Sequence, residues 1–178
     1  MFAAKPLKNS RSRVGGNAYE LLRGQESVGE MYFRGADAGS MRLGEYAYRI
    51  APPATKEERA AAYAAVDIAK GGKGESFAAD ESTRIMMVDE FNRLLAVATR
   101  ERKTWSLHWG ENMCRIESSS ILFLSRRWTL RSAKTIWALA AVHGERVELK
   151  TEKTMPEPVQ IFALWLICRA TDNEAPEK

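Results

Sequence analysis

The last apolar segment of the chain has no polar face. Residues 159–168 read VQIFALWLIC, with Gln160 as the single polar side chain. A helix of this kind must be surrounded by protein, because a surface helix keeps a polar stripe. It is about half as long as the roughly 20 residues that a membrane span needs. The pattern therefore predicts a buried central helix, which begins near Pro156 and Pro158 because proline is tolerated in a first helical turn.

Upstream of that helix, short apolar segments alternate with turn residues, which is typical of antiparallel hairpins. The clearest alternation puts Trp105, Leu107 and Trp109 on one face of residues 104–109, as a half-buried strand requires. Strands are predicted at residues 19–22, 28–33, 46–50, 84–88, 94–100, 104–109, 114–117, 121–124, 127–131, 135–142 and 146–150. Regularly spaced short strands favour a sandwich or barrel. Together with the apolar helix they predict a mostly β (α+β) fold, a single antiparallel barrel of hairpins that encloses the helix.

A second helix is predicted at residues 56–69. Thr55 is a capping residue, Glu57 and Glu58 fall in the first turn, and the following residues are rich in alanine. The run Gly71-Gly72-Lys73-Gly74 ends this helix, and residues 70–80 are expected to form a loop inserted outside the barrel. The run does not fit a phosphate-binding loop, because it follows a helix and Glu75 separates Gly74 from Ser76.

Composition and charge limit the choice of function. The chain has 178 residues, 45% of them hydrophobic, which suits one domain, predicted at residues 17–170 with a tail at 171–178. The net charge of +4 is too mild to indicate a nucleic-acid partner. The positive charge is concentrated in residues 83–134, where Lys and Arg are twice as numerous as Asp and Glu.

Residues 1–16 are expected to be a flexible basic arm. They contain Lys5, Lys8, Arg11 and Arg13 without an acidic residue and without the apolar run of a secretory signal. Two cysteines provide no disulfide framework, so a cytoplasmic location, with possible membrane-peripheral binding, is the simplest expectation. Organellar targeting by the basic arm is the alternative.

Candidate catalytic chemistry is sparse. His108 and Cys114 are six positions apart across a predicted turn, which leaves an enzyme based on that pair as an alternative. A zinc site needs three or four ligands, and no further ligands stand nearby in the sequence. No metal, cofactor or catalytic residue is therefore predicted, and a non-enzymatic role is favoured.

Several motifs resemble the tubby-like barrel superfamily, which includes tubby, phospholipid scramblases, LURP-one-related proteins and uncharacterised bacterial members. They are Val88-Asp89 with Asn92 and Leu94-Leu95-Ala96, then Trp105 with Leu107, then Arg126-Arg127-Trp128-Thr129-Leu130, and the final Gln160 to Leu166 segment. The resemblance implies a closed barrel around a C-terminal helix and a lipid-headgroup role, since phosphoinositide binding is known in that family. The longer helix after Pro52 departs from the family pattern.

Basic turn residues give the leading hypothesis for function. One cluster comprises Arg100, Arg102 and Lys103, and the other comprises Arg126, Arg127, Arg131 and Lys134. If both clusters lie at one end of the barrel, they form one patch for anionic lipid headgroups or an acidic protein. The sequence thus predicts a non-catalytic binding or scaffold module. A structural subunit of a larger assembly is the alternative, and the oligomeric state is left open.

Overall fold

The computed structural model describes residues 1–7, 18–35, 37–72, 84–102, 104–121 and 125–172. The strands are β1 (Phe2–Pro6), β2 (Ala18–Arg23), β3 (Glu26–Phe33), β4 (Gly39–Leu43), β5 (Tyr46–Ala51), β6 (Arg84–Asp89), β7 (Leu94–Glu101), β8 (Thr104–Trp109), β9 (Asn112–Ile121), β10 (Ser125–Arg131), β11 (Ile136–His143) and β12 (Arg146–Thr151). The helices are α1 (Lys56–Ala69) and α2 (Glu157–Asp172).

The strands form one closed barrel in which each strand pairs antiparallel with its sequence neighbours. Closure is made by β1, which pairs with β12 through Phe2 and Leu149 and with β2 through Phe2 and Arg23. A closed barrel leaves no unpaired strand edge. The predicted mostly β fold, a single antiparallel barrel of hairpins, is confirmed.

The core of the barrel is α2. An eight-stranded barrel is just wide enough for side chains to fill, so twelve strands leave room for a helix. The α2 side chains from Ile161 to Cys168 are all buried, and the Phe33 ring stacks on Trp165 with centroids 5.0 Å apart. The predicted enclosed C-terminal helix is thus confirmed.

Helix α1 packs on the outer face of the barrel. Its N-terminus has a capping box, in which Glu58 N–H donates to the Thr55 hydroxyl and the Glu58 carboxylate accepts from Thr55 N–H. Ala62 and Val66 of α1 pack with an apolar cluster that includes Met86, Val88 and Val97. The helix predicted at residues 56–69 is confirmed within its predicted bounds.

The two open ends of the barrel are named here for the terminus of α2 at each. At the N-terminal mouth, Arg23 forms an ion pair with Glu157 at the start of α2. At the C-terminal mouth, Arg169 near the end of α2 forms an ion pair with Asp37 of the β3–β4 loop. Because hairpin turns alternate between the ends of an antiparallel barrel, the turns after β3, β7 and β9 lie at the C-terminal mouth, and those after β4, β6, β8 and β10 at the N-terminal mouth.

The expectation of a flexible arm over residues 1–16 is wrong for Phe2–Pro6, which form β1. Phe2, Ala3 and Ala4 are buried between β12 and β2. The segment has few residues of high β-propensity, so its pairing depends on the two neighbouring strands. Residues 8–17 lie outside the described part of the chain.

Other boundaries also differ from the sequence prediction. The strand Gly39–Leu43 was not predicted, because its glycine and its short length hide the alternation of Met41 and Leu43. Of the strand predicted at residues 121–124, Ile121 is the last residue of β9, and residues 122–124 lie outside the described ranges. Helix α2 extends beyond residues 159–168 to Glu157–Asp172, because its polar ends carry no apolar signal. Of the predicted 70–80 loop and the 171–178 tail, residues 73–80 and 173–178 lie outside the described ranges.

Candidate anion-binding site

Four of the seven basic residues predicted from the sequence lie at the C-terminal mouth. Arg100 is near the end of β7, Arg102 is in the β7–β8 turn, and Arg126 and Arg127 begin β10. Lys103 lies outside the described residues. The β7–β8 turn and the start of β10, which carry residues of the two predicted basic clusters, thus lie at the same end of the barrel.

Arg131 and Lys134 belong to the opposite end, which corrects the predicted second cluster. Strand β10 runs from Ser125 to Arg131, so Arg127 and Arg131 are separated by roughly 13 Å along an extended strand. Residues 125 and 126, which fall between the predicted strands 121–124 and 127–131, belong to β10 and pair with β9. Arg131 instead faces Glu117, with Nε and Oε2 3.8 Å apart.

The strand alternation divides the basic residues between two faces. Arg126 is on the inner face with the buried Trp128, and its guanidinium carbon lies 6.0 Å from the Trp128 ring centroid. Arg100 is likewise on the inner face, 5.7 Å from the ring centroid of Trp105. Arg127 is exposed on the outer face. The mouth therefore presents guanidinium groups both on its inner rim and on its outside.

Arg169 is a further cation at this mouth that the sequence analysis missed. Its guanidinium carbon lies 5.4 Å from the Trp105 ring centroid and 5.8 Å from that of Trp165. Burial lowers the pKa of Arg169, whereas the Asp37 carboxylate raises it and the positive charge of Arg100 lowers it further. The available signal was a charged residue directly after the apolar run that ends at Cys168.

Gly39, the first residue of β4, makes room for α2 beside the β3–β4 loop. A Cβ at this position would lie 2.8 Å from Trp165 Nε1 and 2.4 Å from the carbonyl oxygen of Tyr32. Only glycine tolerates so close an approach without displacing backbone. The β3–β4 loop, with Asp37, is thereby held against the C-terminal half of α2.

Charge is segregated between the two mouths. At the C-terminal mouth, cations predominate among the described side chains. These side chains belong to the β3–β4, β7–β8 and β9–β10 connections, to the adjoining strand ends and to the last turns of α2. These are Arg34, Arg100, Arg102, Arg126, Arg127 and Arg169, against Asp37 and Glu101. The β4–β5, β6–β7, β8–β9 and β10–β11 turns carry the two signs in nearly equal number, namely Glu45, Asp89, Glu90 and Glu111 against Arg93, Arg131 and Lys134. An anion therefore meets an attractive field at one mouth only.

Apolar side chains mark the N-terminal mouth. Phe91 in the β6–β7 turn is 69% exposed, and Tyr46 at the start of β5 is 62% exposed. Ile136 at the start of β11 is also exposed. Among the described residues, the N-terminal mouth thus presents exposed apolar side chains.

The His108 and Cys114 pair does not form a reactive site. His108 lies on the outer face of β8, where its Nε2 is 3.1 Å from the Thr99 hydroxyl, whereas Cys114 packs in the core inside the barrel. Both side chains are fully buried. Burial raises the pKa of Cys114 to about 12, and burial with the charges of Lys70 and Arg84 lowers the pKa of His108 to about 4. A thiolate–imidazolium pair would require the opposite shifts.

Within the described ranges, no three His, Cys, Asp or Glu side chains are grouped closely enough to hold a metal ion. The described helices include none with the length and hydropathy needed to traverse a bilayer.

Comparison of the chain with protein families, with curated proteins and with solved structures yields no match.

Proposed function

We propose that this protein is a non-catalytic binding module that contacts anionic lipid headgroups through the C-terminal mouth of its barrel. The proposal depends on one observation, the concentration of arginine side chains at that mouth. Arg100, Arg102, Arg126 and Arg127 come from two separate hairpins, and the barrel brings them to one end.

The mechanism is electrostatic. A guanidinium group has a planar array of donors that matches two oxygens of one phosphate, so each arginine can bind a headgroup bidentately. Each cation near an anionic membrane surface contributes about 1 kcal/mol, and the attraction falls off within a Debye length. The N-terminal mouth has no such concentration of cations, so the barrel would approach the surface with the C-terminus of α2 first.

The resemblance to tubby-like barrels agrees with this proposal. A closed barrel around a C-terminal helix is the architecture that the resemblance implies, and a lipid-headgroup role is the function it implies. Membership in that superfamily is itself part of what we propose.

Removing two cations from the C-terminal mouth should weaken vesicle binding. We expect the Arg102→Gln/Arg127→Gln variant to bind phosphatidylcholine vesicles containing phosphatidylserine roughly 30-fold more weakly, from about 2 kcal/mol of lost attraction. Co-sedimentation at low salt measures the binding, and added salt should reduce it in the unaltered protein.

The matched control is Arg131→Gln/Lys134→Gln, which makes the same change in net charge at the N-terminal mouth. It should bind like the unaltered protein. Equal losses of vesicle binding in the two variants would show that the C-terminal mouth is not the preferred binding surface. Absence of binding by the unaltered protein at low salt would reject the proposal.

A further inference from the structure

The guanidinium group of Arg169 is buried but only partly hydrogen-bonded. The residue is 7% exposed, and its Nη2 donates to the Asp37 carboxylate. Nη1 is inaccessible to water and has no hydrogen-bond partner in the described part of the chain. Leaving such a donor unsatisfied is unfavourable, because the buried group has given up its hydrogen bonds to water. If Arg169 served only to stabilise the fold, a bidentate contact with the Asp37 carboxylate would satisfy both of its Nη groups.

A second buried donor lies one helical turn away. Trp165 Nε1 has no hydrogen-bond partner either, as far as the described residues extend, and its ring packs against the Arg169 guanidinium. Asp37 of the β3–β4 loop contacts Arg169, and Gly39, the first residue of β4, lies beside Trp165. Among the described residues, two N–H groups without a hydrogen-bond partner therefore lie beside the loop that carries Asp37, the acceptor of Arg169 Nη2.

Around Arg169 and Asp37, positive charge exceeds negative charge. Arg100 and Arg169 lie on the same Trp105 ring, with guanidinium carbons 5.7 and 5.4 Å from its centroid. Asp37 is the carboxylate paired with Arg169, and its side chain is 37% exposed, so it is reachable from solvent. An incoming anion meets Asp37 before it meets the guanidinium.

We propose that Asp37 is a built-in competitor for Arg169, and that a phosphomonoester dianion displaces it to bind Arg169 and Arg100. Once Asp37 has moved away, two guanidinium groups face the ligand. A doubly charged group with three free oxygens neutralises both and offers acceptors to the remaining N–H groups. A carboxylate or a phosphodiester carries one charge and satisfies them less well. This inference rests on the proposed function and adds a preference for one class of anion.

Asp37→Asn tests the inference because it removes the competing charge and keeps the size of the side chain. Its matched control is Glu101→Gln, which removes an exposed carboxylate on the outer face of β7 at the same mouth. Two kinds of phosphatidylcholine vesicle are compared at equal surface charge. One contains phosphatidate, whose headgroup is a phosphomonoester, and the other contains phosphatidylserine.

We expect Asp37→Asn to bind phosphatidate vesicles about tenfold more tightly than the unaltered protein, since a charge-assisted hydrogen bond no longer has to be broken. The same variant should bind phosphatidylserine vesicles no better than Glu101→Gln does. Thermal unfolding should show that both variants are folded. If Asp37 only stabilises the fold, its loss lowers the melting temperature and leaves the two variants equal on both kinds of vesicle, which overturns the inference but not the proposed function.

Calorimetric titration with glycerol 3-phosphate separates a lipid ligand from a soluble one. Binding to Asp37→Asn more tightly than to Glu101→Gln would support a site for free phosphomonoesters, even if the unaltered protein binds no vesicle and the proposed membrane role fails. Phosphatidate selectivity without glycerol 3-phosphate binding would assign the site to a lipid surface. Equal results for the two variants with both probes would reject the competitor role of Asp37.

Discussion

At the scale of single residues, the conformation of Arg102 separates binding from stability. Arg102 has φ 55°, in the left-handed region that L side chains other than Asn and Asp seldom adopt. Such a residue costs roughly 1–2 kcal/mol. A glycine would relieve this strain, so the fold gives no reason for arginine at the β7–β8 turn, whereas the proposed contact with an anionic surface would give one.

Arg102→Gly should therefore weaken binding to anionic vesicles about fivefold without loss of stability. The expected change in the free energy of unfolding lies between zero and a gain of about 1 kcal/mol, because relief of strain is partly offset by the entropy of an unfolded glycine. Urea unfolding and co-sedimentation measure the two quantities. Arg102→Ala, which keeps the strain, should bind as weakly and be the less stable of the two; unchanged vesicle binding in either variant would contradict the proposed role.

His108 should make stability depend on pH below 6.5. Its pKa is 6.5 in the unfolded chain and about 4 in the folded protein, chiefly because it is buried and also because of Lys70 and Arg84. Between these two values the unfolded chain binds a proton that the folded protein does not, so the free energy of unfolding decreases as the pH falls. The full effect at pH 4 is about 3 kcal/mol.

Urea unfolding at pH 7 and pH 5 checks this expectation. The unaltered protein should lose about 2 kcal/mol more than His108→Gln over that interval. The control is His143→Gln, which replaces an exposed histidine beside Gly144 and should behave like the unaltered protein. Equal pH dependence in the unaltered protein and in His108→Gln would show that His108 is not the group responsible.

At the scale of elements, β1 should be indispensable for closure. Deleting residues 1–7 would expose one edge of β12 and one edge of β2, and free edges pair with other chains. The truncated chain is expected to aggregate or to lose cooperative unfolding, whereas removal of a flexible arm would leave both unchanged. Size-exclusion chromatography and thermal unfolding distinguish these outcomes. The matched change is Lys5→Gln, which removes charge from β1 and should leave the barrel closed.

At the scale of the whole molecule, the barrel has electrically unlike ends. The β7–β8 and β9–β10 hairpins bring arginines to the C-terminal mouth, while Asp89, Glu90 and Glu111 lie at the N-terminal mouth. Because α2 runs from one mouth to the other, an anionic surface would orient its axis as well as hold the protein. The alternative of a structural subunit stays a prediction, and exposed Phe91 and Tyr46 give the opposite mouth an apolar surface for it.

The sequence by itself determined the architecture. A ten-residue segment without a polar face requires an enclosure, and alternating apolar positions with turn residues supply the strands that build one. Trp105 and Trp109, which the alternation of residues 104–109 puts on one face, are both buried in the core. These features follow from local periodicity, which can be identified from the sequence alone.

Only the tertiary structure decided how the chain closes and which charges meet. Strand β1 is short and poor in β-formers, so it is defined by its partners and not by its own pattern. Arg131 lies at the opposite mouth from Arg100, because β10 runs from the C-terminal mouth to the N-terminal mouth and ends at Arg131. Arg169 and Asp37 are far apart in the sequence and meet only because α2 threads the barrel. Such contacts depend on register and closure, which the pattern of single residues does not contain.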